Sequence, residues 1–105
     1  MPDDRLQMLT QFLDQHPGDA FARYGLAMEY SRLGDLDNAM QQFNRLLELH
    51  PDYSNGYFMA AQTLAKAGKN TEAVVLLQKG IESAQRNGNR RAASEMNSML
   101  EELTG

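Results

Sequence analysis

Apolar residues recur along the chain at the three- and four-residue spacing of amphipathic helices. Near the start they fall at Leu6, Leu9, Phe12 and Leu13, which gives a helix one apolar face and one polar face. Five later stretches show the same periodicity. The pattern predicts six helices, over about residues 3–15, 19–33, 35–49, 53–67, 71–86 and 90–103.

Turn-forming residues separate these helices at regular points. His16-Pro17 and His50-Pro51 end the first and third helices, because a residue before proline is pushed out of the helical region. Gly34 and Gly68 follow the second and fourth helices, where glycine can adopt the left-handed conformation that closes a helix. Asp35 is placed to cap the third helix with its side chain.

Many of these residues recur after 34 positions. Gly34 returns as Gly68, and Ala39 returns as Ala73. A fixed period of this size indicates a stack of helical hairpins, each of which needs a neighbour to bury its apolar face. Ala39, Ala73 and also Gly80 are expected where helices cross closely, since small side chains let helix axes approach to about 8–10 Å.

The repeated residues fall at the spacings of a known family. The first copy contains Leu26-Ala27, Tyr30, Ala39, Phe43 and Pro51, and the second contains Tyr57, Ala60, Ala61, Leu64, Ala73, Leu77 and Gly80. In these residues the chain resembles the tetratricopeptide repeat family. Arg23 stands where the family has tryptophan, and Gln85 stands in place of the closing proline. The resemblance implies one all-α domain, a right-handed α-solenoid of antiparallel helical hairpins, with a leading half repeat at 3–17, repeats at 20–53 and 54–87, and a capping helix at 88–105.

The resemblance also implies a binding surface. In this family the first helix of each repeat lines a concave groove, and Phe21, Tyr24, Met28 and Phe58 would form an apolar patch there, as is typical of interaction sites. The alternative is that the capping helix buries these side chains. The residues predicted to contact a partner are Phe21, Tyr24, Met28, Arg32, Asn55, Phe58, Gln62, Lys66 and Met96.

Composition and charge narrow the classes of ligand. The net charge of −4 argues against non-specific nucleic-acid binding, which needs a basic face. The chain has no cysteine, so disulfides and thiolate metal sites are excluded. His16 and His50 occupy one repeat position, so they should lie about one repeat apart, too far to share a metal ion. No catalytic motif or glycine-rich phosphate loop is present, so we expect neither catalysis nor a cofactor.

The remaining signals favour a soluble interaction protein. No apolar run approaches the roughly 20 residues that cross a bilayer, and the start Met-Pro-Asp-Asp is unlike a signal peptide. We therefore expect a cytoplasmic, non-enzymatic protein–protein interaction module whose groove binds an apolar or amphipathic segment of a partner. The main alternative is homo-oligomerisation through the same groove or the terminal helix. A weaker alternative is an enzyme that uses carboxylates in the groove.

Overall fold

The computed structural model describes residues 4–105, and all regular structure in that range is helical. The predicted all-α class and the six predicted helices are confirmed for this range; Asp3, the expected start of the first helix and of the leading half repeat, lies outside it. The helices are α1 (Asp4–Gln15), α2 (Ala20–Arg32), α3 (Leu36–Leu49), α4 (Ser54–Lys66), α5 (Asn70–Arg86) and α6 (Arg90–Thr104).

Three helices begin at a side-chain cap. The side-chain oxygen of the capping residue accepts a hydrogen bond from the backbone amide three residues later, at 2.8 Å for Asp19, 3.2 Å for Asp35 and 3.1 Å for Asn89. Each bond satisfies one of the amides that a helix start leaves without a partner inside the helix. The cap predicted at Asp35 is confirmed.

Three glycines close α2, α4 and α5 in the same way. The φ angles of Gly34, Gly68 and Gly88 are 78°, 79° and 68°, the left-handed region that side chains with a Cβ atom avoid. The residue after each glycine donates its amide to a carbonyl five residues earlier, at 2.8–2.9 Å. This hydrogen bond ends a helix sharply and lets the chain turn back. The roles predicted for Gly34 and Gly68 are confirmed.

The chain forms two compact units, Met1–His50 and Pro51–Gly105. In the first unit α2 packs against both α1 and α3; in the second, α5 packs against α4 and α6, and α4 also contacts α6. In repeat order α2, α4 and α6 are first helices, and α1, α3 and α5 are second helices. One apolar cluster of the first unit is formed by Leu13, Ala22 and Leu26, with Leu6, Leu9 and Tyr30 packed around them.

Close helix crossings lie at the predicted small residues. Ala39 and Ala73 are fully buried. A Cβ atom built on Gly80 would lie 2.6 Å from the Cβ of Tyr57 in α4 and 2.5 Å from the Sδ of Met96 in α6. Both distances are well below van der Waals contact, so Gly80 marks a crossing where only a hydrogen atom fits.

A polar clamp fastens the turn before α4 in the second unit. The hydroxyl groups of Tyr57 and Ser83 both donate to the carbonyl oxygen of Pro51, at 2.8 Å and 3.0 Å. Burial raises the pKa of the Tyr57 hydroxyl, Arg86 opposes that rise and Asp52 adds to it. The clamp therefore holds a neutral tyrosine between the turn and α5.

Candidate interaction site

An apolar cleft of about 560 Å³ lies between α1 and α2 in the first unit. The two helices run side by side, and the side chains that spread from their facing edges form its walls. The small residues Ala22 and Gly25 of α2 also line it. Its larger apolar side chains are Met8, Leu9 and Phe12 from α1, with Phe21, Tyr24 and Met28 from α2.

Three of these side chains are largely open to solvent. Phe21 is 78% exposed, Met8 62% and Phe12 43%. A single exposed apolar residue is ordinary, but several that line one cleft are typical of a surface that binds another molecule. The alternative that these groove residues are buried is therefore wrong for Phe21.

A buried carboxylate joins the two helices at the cleft. Glu29 of α2 is only 6% exposed, and its Oε1 lies 3.8 Å from the Nε of Arg5 on α1. The Nε of Arg32 donates to the same oxygen at 3.0 Å. Arg5 and Asp19 also line the cleft, and the carboxylate of Asp19 is already engaged as the cap of α2. The cleft thus has an apolar interior, and its walls include one positively charged and one negatively charged residue.

The predicted contact residues of α2 are placed as the helical spacing requires. Phe21, Tyr24 and Met28 come together in the cleft. Arg32 lies one turn further on, exposed and paired with Glu29. The part that these four residues play in binding stays a prediction.

The predicted contact residues of the second unit lie on α4. Asn55 and Lys66 are exposed, whereas Phe58 and Gln62 are half-buried. Phe58 and Tyr24 are each the fifth residue of a first helix, and both are half-buried. Their contribution to recognition likewise stays a prediction.

The placement of Met96 on the binding groove is corrected. Met96 is 1% exposed and lies against the position of Gly80 in the core of the second unit. A strict 34-residue period would start α6 at residue 88, but α6 starts two residues later, at Arg90. Two residues rotate a helical position by about 200°. Counted from its helix start, Met96 is the seventh residue, as are Leu26 and Ala60, and all three are buried.

The outward face of α6 is polar instead. Ser94, Asn97, Ser98 and Glu101 are exposed and line a shallow cleft of about 700 Å³ together with the end of α5. A polar outer face is what a terminal repeat needs in order to stay soluble. The capping role of α6 stays a prediction.

Sequence reasoning missed the contribution of α1 to the cleft. The helical spacing predicts Phe12 on the apolar face of α1, and one repeat period separates Phe12 from Leu46 of α3. Leu46 is fully buried, yet Phe12 is 43% exposed. The position of α1 in the repeat could have indicated this exposure. α1 is a second helix, and within residues 4–50 no first helix precedes it. Its face towards such a helix therefore stays open and adds Met8 and Phe12 to the cleft.

Other chemistry has little support in residues 4–105. No cluster of three or more histidine, cysteine or acidic residues in this range could hold a metal ion. Within the same range, no helix combines the length and the apolar character needed to span a bilayer. The Nε2 of His50 donates to the carbonyl oxygen of Gly18 at 3.0 Å, which ties together the turns on either side of α2 and α3.

Comparison with known proteins gives a consistent result. A tetratricopeptide repeat model matches residues 32–95, and a second such model matches residues 6–54. A TPR repeat-containing protein of Pseudomonas aeruginosa is 28% identical over 98 residues, which cover 93% of each chain.

Solved structures show the same fold. A tetratricopeptide repeat domain protein from Salinibacter ruber, solved by NMR in solution, matches with a TM-score of 0.79 and 28% identity over 85% of this chain and 90% of that one. The TPR2B domain of yeast Sti1, solved in complex with pHsp70, matches with a TM-score of 0.86 and 17% identity over 94% of this chain and 79% of that one. At 17% identity the likeness concerns the fold alone. The helical hairpins, the glycine turns and the family models agree: this chain belongs to the tetratricopeptide repeat family.

Proposed function

We propose that this protein is a non-enzymatic interaction module that binds an apolar or amphipathic segment of another protein, in the cytoplasm. The family supports the general role, because tetratricopeptide repeat proteins are generally non-catalytic scaffolds with extended binding surfaces. A domain of the same fold was solved with pHsp70 bound. The observation that carries the finer proposal is the open apolar cleft between α1 and α2, with Phe21 78% exposed.

The exposed side chains of the cleft supply a physical reason to bind. Removing an apolar side chain such as Phe21 from water typically contributes about 1.5–3 kcal/mol. Met8 and Phe12 offer further apolar surface in the same cleft. Part of this gain is offset by the lost freedom of the two partners, so a segment must cover several of these side chains together. An apolar segment with a polar outer edge meets that requirement.

The charged groups of the cleft are engaged in structural roles. The carboxylate of Asp19 accepts the amide of Ala22 at the start of α2, and the guanidinium of Arg5 pairs with Glu29. Because Asp19 and Arg5 are held in place, they can contact charged side chains at the edge of a partner's binding segment. They support binding over chemistry as the role of this cleft.

Selection of peptides on the full chain tests the proposal. Random segments of about 16 residues, roughly 24 Å when helical, would be displayed on phage, selected, and synthesised with a fluorescent label. Fluorescence anisotropy then gives the Kd for the wild type, Phe21→Ala and Tyr24→Ala. We expect each variant to weaken binding by about tenfold or more, as buried aromatic anchors commonly do.

Two controls accompany this measurement. Val75 lies on α5 and is 46% exposed, so Val75→Ala removes a comparable exposed apolar side chain away from the cleft and should leave the Kd unchanged. Phe58→Ala tests the equivalent aromatic of α4, for which the repeat predicts a similar loss. Unchanged affinity in both Phe21→Ala and Tyr24→Ala, with folding intact by circular dichroism, would show that the cleft is not the binding surface.

Self-association is the alternative function, because an exposed apolar cleft can also accept a second copy or its terminal helix. Sedimentation velocity at two protein concentrations separates the two cases. A single monomeric species at both concentrations supports binding of a different protein. A concentration-dependent dimer that Phe21→Ala abolishes would establish the alternative.

A further inference from the structure

We infer that the cleft between α1 and α2 docks a partner helix that runs antiparallel to α1, with a small residue against Phe12 and an acidic residue two turns later against Arg5. This inference rests on the proposed function and specifies its partner. The occupant is an amphipathic helix of another protein, defined by those two positions.

The second unit contains a template for this arrangement. In repeat order α5 and α6 correspond to α1 and α2, a second helix followed by a first helix. In the second unit α4 contacts both members of that pair, α5 and α6. Within residues 4–50 α1 packs against α2 alone, and the corresponding space is the open cleft. The cleft therefore has the form that α4 fills elsewhere in the same chain, which is the form of a helix.

The direction of the docked helix follows from the same template. A short turn at residues 67–69 joins α4 to α5, so the two helices are antiparallel neighbours. The wall residues of α1 are Arg5, Met8, Leu9 and Phe12, the spacing that presents one helix face to another helix. A helix that takes the place of α4 would cross this face antiparallel to α1.

Complementary size fixes the residue against Phe12. Two repeat periods separate Phe12 from Gly80, so the two residues occupy one position on α1 and α5. On α5 the glycine leaves a hole, which Tyr57 of α4 fills. On α1 the same position carries Phe12, which is 43% exposed and has its ring 4.5 Å from the ring of His16, so here the large side chain belongs to the wall. The docked helix must then supply the hole, a glycine, alanine or serine.

Charge fixes the second position. Two periods also separate Arg5 from Ala73, which is fully buried on α5, whereas the Arg5 side chain is 63% exposed and lines the cleft. Arg5 precedes Phe12 by seven residues, about 10.5 Å along the helix. An antiparallel helix therefore meets Arg5 seven residues after its small residue. A guanidinium has five N–H donors, so Arg5 can serve an incoming carboxylate as well as Glu29.

Three synthetic peptides test both positions. Each is a helix of about 18 residues with the same apolar stripe, and they differ only at the small position and at the position seven residues later. The first carries alanine and glutamate, the second tyrosine and glutamate, the third alanine and lysine. Binding would be measured by fluorescence anisotropy on the full chain as wild type, Arg5→Gln, Phe12→Ala and the control Val75→Ala.

We expect reciprocal effects. The wild type should bind the alanine–glutamate peptide about tenfold more tightly than either other peptide, because overpacking and like-charge contact are both costly at an interface. Arg5→Gln, which removes the charge without placing a second carboxylate beside Glu29, should abolish the preference for glutamate over lysine. Phe12→Ala should remove the penalty against tyrosine. Val75→Ala should bind all three peptides as the wild type does.

The possible failures can be told apart. If the wild type binds all three peptides equally, the helix register is wrong and the proposed function stands. The same holds if the wild type binds none of the three peptides while binding of the display-selected segments is still weakened by Phe21→Ala. If the selected segments are also insensitive to Phe21, both fail. A concentration-dependent dimer that Phe12→Ala abolishes would identify a second copy as occupant and overturn the inference. Should Phe12→Ala unfold, the three peptides on the wild type still decide the register.

Discussion

Two glycines inside helices should respond differently to replacement by alanine. A Cβ atom at position 80 would lie 2.6 Å from the Cβ of Tyr57 and 2.5 Å from the Sδ of Met96. Carbon atoms in contact normally lie about 3.5–4.0 Å apart. The Met96 side chain can swing away, but the Tyr57 Cβ is attached to the backbone, and the Tyr57 hydroxyl is held by Pro51 at 2.8 Å.

The expected magnitudes follow from these contacts. Alanine is favoured over glycine inside a helix by about 1 kcal/mol. Overpacking a crossing costs about 1–3 kcal/mol, so Gly80→Ala should change the free energy of unfolding by between about zero and −2 kcal/mol. At position 25 a Cβ atom would lie 3.6 Å from both Cδ atoms of Leu9, an ordinary contact. Gly25→Ala should therefore stabilise the chain by about 1 kcal/mol.

Urea denaturation followed by far-ultraviolet circular dichroism measures both variants against the wild type. The comparison cancels the helix preference, since both replacements exchange glycine for alanine inside a helix. We expect Gly25→Ala to exceed Gly80→Ala in unfolding free energy by about 1–3 kcal/mol. If Gly80→Ala is as stable as Gly25→Ala, the crossing of α5 with α4 and α6 is looser than described above, and the reasoning from repulsion fails.

Three further predictions concern the core, the last helix and pH. Ala39→Leu should lower the free energy of unfolding by about 1–3 kcal/mol, because Ala39 is fully buried, whereas Gln41→Leu at an exposed position should be near neutral; equal urea midpoints would contradict this. Deleting residues 90–105 should expose the buried side of α5 and cause aggregation or early melting, and a monomeric, equally stable truncation would exclude the capping role. Because burial raises the pKa of Tyr57 above its unfolded value of 10.0, the stability that Tyr57 contributes should be full below pH 10 and lost as pH rises through the folded pKa. Urea midpoints measured from below pH 10 to above it should therefore fall less in Tyr57→Phe than in the wild type.

The ends of the helices were predictable because local chemistry decides them. Gly34 and Gly68 must supply a left-handed backbone, and Asp35 needs only the amide three residues ahead. These interactions span a few residues and do not depend on the rest of the fold. All six helices of the described range could therefore be predicted to within a few residues at their ends.

The side of a helix that faces a neighbour was harder to predict, because burial depends on tertiary contacts. Carrying the 34-residue period past the longer α5 put Met96 on the wrong side of α6. Counting from the start of each helix would have aligned Met96 with buried Leu26 and Ala60. The reason for Phe12 is different. Its repeat position predicts burial, but within residues 4–50 the helix α1 packs against α2 alone, and Phe12 stays 43% exposed with its ring 4.5 Å from the ring of His16.

Glu29 links the two walls of the cleft between α1 and α2. A carboxylate that is 6% exposed costs several kcal/mol unless it is paired, and here the Nε of Arg32 donates to it while the Nε of Arg5, on α1, lies 3.8 Å away at ion-pair distance. Moving α1 away from α2 would break this ion pair, which therefore favours the present spacing of the two walls of the cleft. The entropy lost on binding then falls mainly on the incoming segment. Chemically stapling that segment as a helix should raise affinity, while the backbone of α1 and α2 should hardly move.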